Sequence, residues 1–135
     1  MRSPSRTVLA LVLITLASCD DEPLVRDKAY VQFSMTGDVW NVNLHISESF
    51  KEAHTDIATI GGMLRHSLRI GVAPGSHTYN IALDEGSEQV LVTTLRGNIT
   101  PILIDVHVRD SRSPSLGKIV TSVSMSIEQR PPTPF

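Results

Sequence analysis

The feature that most constrains the fold is an alternation of apolar and polar residues with a period of two, which recurs along most of the chain. Its clearest case is segment 39–46, where the apolar positions are Trp40, Val42, Leu44 and Ile46. The positions between them are polar: Asn41, Asn43 and His45. Because successive side chains of a strand point to opposite faces, this pattern predicts a strand with one buried face and one solvated face.

The same alternation predicts further strands separated by turn-forming residues. The positions that share the mainly apolar face of each strand are Ala29, Val31, Phe33; Leu68, Ile70, Val72; His77, Tyr79, Ile81, Leu83; Val90, Val92; Ile102, Ile104, Val106, Val108; and Val123, Met125, Ile127. Turns are expected at 35–38, 73–76, 84–87 and 96–98, and a polar loop at 109–117. The first turn predicts a hairpin between the first two strands. About seven short strands at this spacing predict an all-β fold, an antiparallel β-sandwich.

Segment 47–62 leaves two interpretations open. Ser49 and Glu52 have the spacing of a capping box, and apolar residues recur at helical intervals at Phe50, Ala53, Ile57 and Ile60. This interpretation predicts a short helix over 50–59. The competing one is a long loop followed by a strand at 57–60.

The N-terminus has the order of a secretory signal. Residues 1–7 include Arg2 and Arg6 and no acid, and residues 8–16 (VLALVLITL) are almost wholly apolar. This run is too short for a membrane-spanning helix, which needs about 20 apolar residues. An ordinary signal peptidase site requires small residues at the −3 and −1 positions, whereas a cut before Cys19 would place Leu16 at −3.

Residues Leu16, Ala17, Ser18 and Cys19 instead resemble the lipobox of bacterial lipoproteins. The resemblance implies that the Cys19 thiol receives a diacylglyceryl group, that the preceding peptide bond is cut, and that the new amino group is acylated. Several acyl chains hold a protein durably on a bilayer, whereas a single chain gives marginal binding. The resemblance therefore predicts a protein of the bacterial cell envelope that is bound to a membrane through its N-terminal lipid.

The residue after the cysteine, Asp20, resembles the signal that retains lipoproteins of enteric bacteria in the inner membrane. It implies the periplasmic face of the inner membrane rather than the outer membrane. The alternative is that Asp20, Asp21 and Glu22 form a solvated acidic linker, which Pro23 extends.

The predicted organisation follows from these boundaries. It consists of a signal peptide at 1–18, a lipidated N-terminus and linker at 19–27, a β-sandwich domain at 28–128 and a Pro-rich tail at 129–135. Three prolines in the last six residues favour an extended conformation, and we expect this tail to fray.

Segment 68–83 (LRIGVAPGSHTYNIAL) resembles PEGA-type domains and related small envelope lipoproteins of unknown function. The similarity lies in Val72, Pro74, Gly75, His77 and Thr78, between two strands. A later strand that begins with glycine also belongs to the pattern, and segment 97–106, which starts at Gly97, would match it, so that the resemblance extends over about a third of the chain. The glycine-led D-G-x hairpin and the later aromatic pair of that pattern are missing. The resemblance implies a β-sandwich without known catalytic residues.

Composition excludes several classes of function. From Cys19 onward, 10 basic and 14 acidic residues leave a net charge of −4, which argues against binding to nucleic acid because phosphate contacts require clustered basic residues. A single cysteine cannot form an intramolecular disulfide. The five histidines lack the close paired spacing of zinc sites, so no metal site and no cofactor are expected.

No constellation for catalysis is evident. Asp105 and His107 share a strand face, but no G-x-S-x-G sequence or similar nucleophile context accompanies them. His45 is likewise expected on a polar face. An aromatic platform for sugars is lacking because Trp40 is assigned to the core, which leaves Tyr30 as the aromatic on a polar face. We therefore expect a protein that is not an enzyme.

The remaining prediction is a structural or protein-interaction role in the envelope. An exposed strand edge can accept a strand from another envelope protein, and the serine-rich final strand with the Pro-rich tail is the expected edge. Two alternatives stay open: an accessory lipoprotein of a secretion or pilus assembly machine, which requires a hydrophobic docking patch, and a module that binds a small molecule or glycan, which requires a concave pocket.

Overall fold

The computed structural model describes residues 22–83, 86–112 and 119–135. In chain order its strands are β1 (Ala29–Gly37), β2 (Asn43–Phe50), β3 (Ala53–Gly61), β4 (Ser67–Val72), β5 (Gly75–Leu83), β6 (Gly86–Thr94), β7 (Asn98–Arg112), β8 (Ile119–Gln129) and β9 (Thr133–Pro134). Sheet A has the order β4-β1-β7-β8, with β9 also paired to β7, and sheet B has the order β3-β2-β5-β6. The all-β, sandwich-like fold predicted from the alternation is confirmed.

The core lies between the inner faces of the two sheets, and the apolar positions of the alternation fill it. The residues with no exposed area include Val31, Phe33, Leu44, Ile46, Ile60, Tyr79, Ile81, Val92, Ile102, Ile104 and Val106. Burial of each large side chain contributes about 1.5–3 kcal/mol. The rings of Phe33 in sheet A and Tyr79 in sheet B meet edge to face with centroids 5.3 Å apart, which joins the sheets at the centre.

The prediction that the first two strands form a hairpin was wrong, and sheet A is mixed rather than antiparallel throughout. β1 pairs antiparallel with β4 and parallel with β7, whereas β2 lies between β3 and β5 in the other sheet. A single-turn 3-10 helix (Val39–Asn41) follows β1 and carries the chain across to sheet B. Turn-forming residues therefore mark a change of sheet here, and not a hairpin.

The helix predicted over 50–59 is wrong. β2 and β3 form a hairpin in which Phe50 pairs with Ala53, and the alternative strand at 57–60 is only part of β3. Since β3 is an edge strand of sheet B, most of its residues are exposed, and Ile60 is its one fully buried side chain. A strand with so little burial shows a weak period of two, which allowed the helical spacing to compete.

Trp40 was predicted to be a core residue of a strand, and this was also wrong. It belongs to the 3-10 helix before β2, and 67% of the residue is exposed. Its ring contacts the edge of the His66 ring at a centroid distance of 4.5 Å. The alternation at Leu44 and Ile46 matches β2, but the first two apolar positions, Trp40 and Val42, precede the strand.

The strands of the sandwich run between two ends, which we call proximal and distal. At the proximal end, where β1 begins, lie segments 24–28, 50–53, 73–75 and 95–98. At the distal end, where β1 ends, lie segments 38–42 and 62–66. The nine residues of β1 separate these ends by about 26 Å at 3.3 Å per residue.

β7 does not end where the polar loop at 109–117 was predicted to begin. Its pairing with β1 stops at Val106, opposite Gly37, but its pairing with β8 continues to Arg112. The β7–β8 hairpin therefore extends beyond β1 at the distal end.

Candidate functional site

The predicted lipobox and sorting residues lie outside the described part of the chain. They are Leu16, Ala17, Ser18, Cys19 and Asp20. The described chain starts at Glu22, three residues after the predicted lipidation site. The structure therefore shows how the segment that follows the predicted anchor is held, and this segment is the first part of the candidate site.

The start of the described chain is fastened to the outer face of sheet A by side-chain hydrogen bonds. Arg69 on β4 donates from Nε and Nη2 to the carbonyl oxygen of Glu22, at 3.1 and 2.8 Å. The hydroxyl of Tyr30 donates to the carbonyl oxygen of Pro23 and accepts the N–H of Val25, both at 2.7 Å. Residues 22–25, part of the predicted linker, are consequently bound to the domain.

Tyr30 points to the outer face as the alternation predicts, yet it has no exposed area. Its ring meets the ring of Phe135 edge to face at 5.5 Å, while the N-terminal segment covers its hydroxyl. Gly71, its partner on β4, leaves the space that this arrangement needs. A Cβ at Gly71 would lie 3.4 Å from the Tyr30 ring and 2.5 Å from a carboxylate oxygen of Glu22.

The C-terminal tail is also bound here, so the prediction that it frays was wrong. β9 pairs with the start of β7 through Thr133 and Ile99, and the N–H of Phe135 donates to the carbonyl oxygen of Gly97 at 3.2 Å. Both ends of the described chain thus meet at Tyr30. The proline-rich composition favoured an extended tail, but it did not reveal the pairing, which depends on a strand more than 30 residues earlier.

A second cluster of polar groups lies inside the proximal end of sheet B. His77 faces two acceptors: Nε2 lies 2.6 Å from the carbonyl oxygen of Ala73, and Nδ1 lies 3.3 Å from Glu48 Oε2. Both ring nitrogens of His77 therefore lie within hydrogen-bond distance of an oxygen atom. The His77 ring stacks on Tyr79 at 6.1 Å.

The hydroxyl of Tyr79 is buried, and among the described residues it has no hydrogen-bond partner. Burial raises the pKa of Tyr79 well above its usual range, and the nearby carboxylate of Glu48 raises that pKa further. A neutral phenol with a raised pKa cannot act as a base or nucleophile near neutral pH. The Tyr79 hydroxyl therefore closes the edge of the core and is not a reactive group.

The exposed histidines lie on outer strand faces as predicted. His45 Nε2 is 3.0 Å from Asp56, and His107 Nε2 is 2.8 Å from Asp105. Ser124 pairs opposite His107 across β7 and β8, but within the described chain no hydrogen bond connects their side chains. A nucleophile and its base need such a hydrogen bond, so this surface lacks the geometry of a catalytic triad.

A second serine–histidine pair lies on the β2–β3 hairpin, where Ser49 Oγ is 2.9 Å from His54 Nδ1. In the described chain no acidic side chain orients His54, which is exposed on an edge strand. No group of three metal-binding side chains occurs in the described residues either. The sequence did not predict this pair, because a spacing of five residues gives no signal while a helix and a long loop are both open for the segment.

An open groove with a volume of about 300 Å³ lies at the proximal end. Its lining consists of Asp27, Lys28, Gly71, Val72, Ala73 and Pro74. These residues include no aromatic side chain on which a sugar or a flat ligand could stack. The groove therefore lacks the aromatic feature that a glycan-binding module requires.

The strand edges and the distal end carry the surfaces that could receive a protein. β8 is an edge strand of sheet A, as predicted for the final strand, and its serines at 122, 124 and 126 are exposed. At the distal end, exposed apolar side chains form what we call the distal apolar patch: Trp40 (67% exposed), Met63 (93%) and Leu64 (53%). A hydrogen bond from the N–H of Gly62 to the carbonyl oxygen of Val39 joins the two loops that carry it.

Comparisons with known proteins add no relative: no family model, no curated protein and no solved structure matches this chain. Within the described ranges, no helix has the length and the hydropathy that crossing a bilayer requires.

Proposed function

We propose that the protein is a lipid-anchored protein of the bacterial cell envelope with a structural or protein-interaction role and no catalytic activity. The observation that carries the proposal is the short distance between the lipobox-like sequence and the fastened segment. Glu22, whose carbonyl oxygen Arg69 binds, is only the third residue after Cys19. A lipidated Cys19 would hold the sandwich within about 11 Å of its own position, since an extended chain spans at most about 3.6 Å per residue.

The absence of a catalytic role is supported by the exposed histidines. His107 and His54 lie on solvent-facing strands, and neither belongs to a complete group of nucleophile, base and orienting acid within the described chain. Asp20 supports the periplasmic face of the inner membrane as the location, by its position directly after the cysteine.

Lipid attachment is tested by growing cells that express the full-length protein with a radioactive fatty acid. We expect label on the wild type and none on Cys19→Ala, with a matching mass increase on the mature N-terminus. Ser18→Gly is the matched control, because glycine keeps a small residue in the lipobox and the label should remain. An unlabelled wild-type protein that is nevertheless exported would contradict the proposal.

The location is tested by separating the two membranes of an enteric host on a density gradient. We expect the wild type in the inner-membrane fraction and Asp20→Ser in the outer-membrane fraction. Asp21→Ser removes an identical charge one residue later and should stay with the wild type. If both variants stay in the inner membrane, Asp20 is not a sorting residue.

The distal apolar patch favours one specific form of interaction role, that of an accessory lipoprotein of a secretion or pilus assembly machine. Such a role needs an apolar docking surface, and Trp40 and Met63 provide one. Photo-crosslinking residues at these positions should capture a partner in the native envelope if the patch docks, whereas a residue at Ser124 should capture it if the β8 edge does. His45, on the outer face of a central strand, is the control position that should capture neither.

A further inference from the structure

The proximal end exposes three large aliphatic side chains that the fold brings to one surface. Leu24 is 42% exposed, Val25 is 44% exposed and Leu95 is 51% exposed. The N–H of Gly97 donates to the carbonyl oxygen of Lys28 at 2.8 Å, which places the turn after β6 against the turn before β1. We call Leu24, Val25 and Leu95 the proximal apolar surface.

The position of this surface relative to the predicted anchor is limited by chain length. Leu24 follows Cys19 by five residues, so their Cα atoms are at most about 18 Å apart. The chain cannot move the domain away from the bilayer by unwinding at this point, because Arg69 and Tyr30 hold residues 22–25 on sheet A. A bilayer that holds Cys19 must therefore meet a surface next to Glu22.

Two surfaces lie next to Glu22, and their chemistry differs. On β7 the outer face of sheet A carries the half-buried Ile99, Pro101 and Leu103, followed by Asp105 and His107. Along β1 the same face continues from Tyr30 with the polar side chains of Gln32, Ser34 and Thr36. Burying such groups in acyl chains without partners is costly. The proximal apolar surface offers aliphatic side chains whose removal from water is favourable.

We propose that the proximal apolar surface inserts into the headgroup–acyl boundary of the same bilayer that holds the Cys19 lipid. The inference rests on the lipid attachment proposed above. It gives the domain a fixed orientation: the strands run away from the membrane, and the distal apolar patch with Trp40 lies about 26 Å further from the bilayer than the proximal end.

The charged residues around the proximal apolar surface are compatible with a position at the membrane–water interface, but they are not expected to supply most of the binding energy. Arg26, Lys28 and Arg96 are exposed, and among the described residues none of them has an acidic partner. Long cationic side chains at such a position extend their charged groups toward the headgroups. Asp20, Asp21, Glu22 and Asp27 offset these cations in the same stretch of chain, so the contact should depend on the aliphatic side chains and little on lipid charge.

The test uses the fact that Trp40 is the only tryptophan of the chain. The lipidated full-length protein is reconstituted into phosphatidylcholine vesicles whose acyl chains carry bromine, which quenches tryptophan at the depth of the bilayer. The wild type reports from the distal end. Leu95→Trp and Leu24→Trp, each combined with Trp40→Phe, report from the proximal end, and two positions guard against the misfolding of one variant.

We expect Trp40 to keep its fluorescence, and both proximal tryptophans to lose most of theirs and to shift to shorter wavelength. Adding phosphatidylglycerol should leave these results unchanged. The inference is wrong if Trp40 is quenched. It is also wrong if the proximal tryptophans stay unquenched on protein that floats with the vesicles. In both cases the proposed lipid attachment is unaffected. The mass of the same sample distinguishes the other failure: if Cys19 carries no lipid, the proposed attachment is wrong, and the inference fails with it.

Discussion

The two tyrosines of the chain allow one substitution to be compared in opposite environments. Tyr79 has a buried hydroxyl without a partner in the described chain, whereas the Tyr30 hydroxyl makes two hydrogen bonds of 2.7 Å. Burial of an unsatisfied polar group costs about 1–3 kcal/mol, and each satisfied hydrogen bond contributes about 0.5–1.5 kcal/mol net to stability. We therefore expect Tyr79→Phe to raise the free energy of unfolding by about 1–2 kcal/mol and Tyr30→Phe to lower it by about 1–3 kcal/mol.

The pH dependence of unfolding supplies a second measurement of the same effect. The pKa of Tyr79 is raised in the folded state, so its proton stabilises the fold fully below the unfolded pKa of about 10. This contribution is lost as pH rises above that value, because the unfolded chain releases the proton first. Above pH 10, the stability of the wild type should therefore fall more steeply than that of Tyr79→Phe, by about 1.4 kcal/mol per pH unit.

Urea denaturation of the three proteins at pH 7 and at pH 10.5, followed by circular dichroism, measures both effects. A change of about 1 kcal/mol in the free energy of unfolding also moves the Tm by about 4 °C in a domain of this size. Tyr30→Phe should also increase hydrogen exchange of the Val25 amide, which donates to the lost hydroxyl. Equal destabilisation by the two substitutions would falsify the contrast between a satisfied and an unsatisfied hydroxyl.

Three further substitutions, two of them paired with a control, test the packing and the backbone by equilibrium unfolding. Ile104→Ala removes a fully buried side chain and should cost about 2–5 kcal/mol, while Leu91→Ala, at a residue that is 66% exposed, should change stability by less than about 0.5 kcal/mol. Gly37→Ala should lower the free energy of unfolding by about 2–4 kcal/mol, because φ is +87° and a Cβ would lie 2.2 Å from a carbonyl oxygen of β7. Gly86→Ala is the control and should be close to neutral, because open space surrounds that position. Similar losses of stability at both glycines would contradict this reasoning. Lys51→Gly should stabilise the β2–β3 hairpin by up to about 1 kcal/mol, since φ is +58° at this residue, and a loss of stability would show that the turn carries no strain.

The sequence predicted the strands best where one face of a strand is fully buried. Ile102, Ile104 and Val106 alternate with polar or half-exposed neighbours and lie in the core as expected. The same rule failed at the edge strand β3, because its side chains are exposed on both faces and the pattern there carries little information. Trp40 continued the alternation before β2, yet it precedes the strand, since nothing in a period of two marks where a strand begins.

Strand partners and the contacts of the candidate site were less accessible to sequence reasoning. The parallel pairing of β1 with β7 joins residues that are far apart in the chain, and no local pattern records it. Tyr30 was correctly assigned to the outer face, but its burial depends on Phe135 and on the hydrogen bonds of the N-terminal segment. An aromatic residue on a polar face just after a proline-containing segment was the one available signal. Arg69, a basic residue on a strand, gave none.

The central position of β1 in sheet A also sets an order for folding. β1 cannot acquire its parallel neighbour until β7 is available, and the Thr36–Asp105 hydrogen bond between these strands spans 69 residues. The hairpins β2–β3 and β5–β6 close over short loops and can form much earlier. A chain delivered from its N-terminus can pair β1 with β4 early, but it leaves the other edge of β1 unpaired until about three quarters of its length has emerged, a long period in which a chaperone could bind that edge.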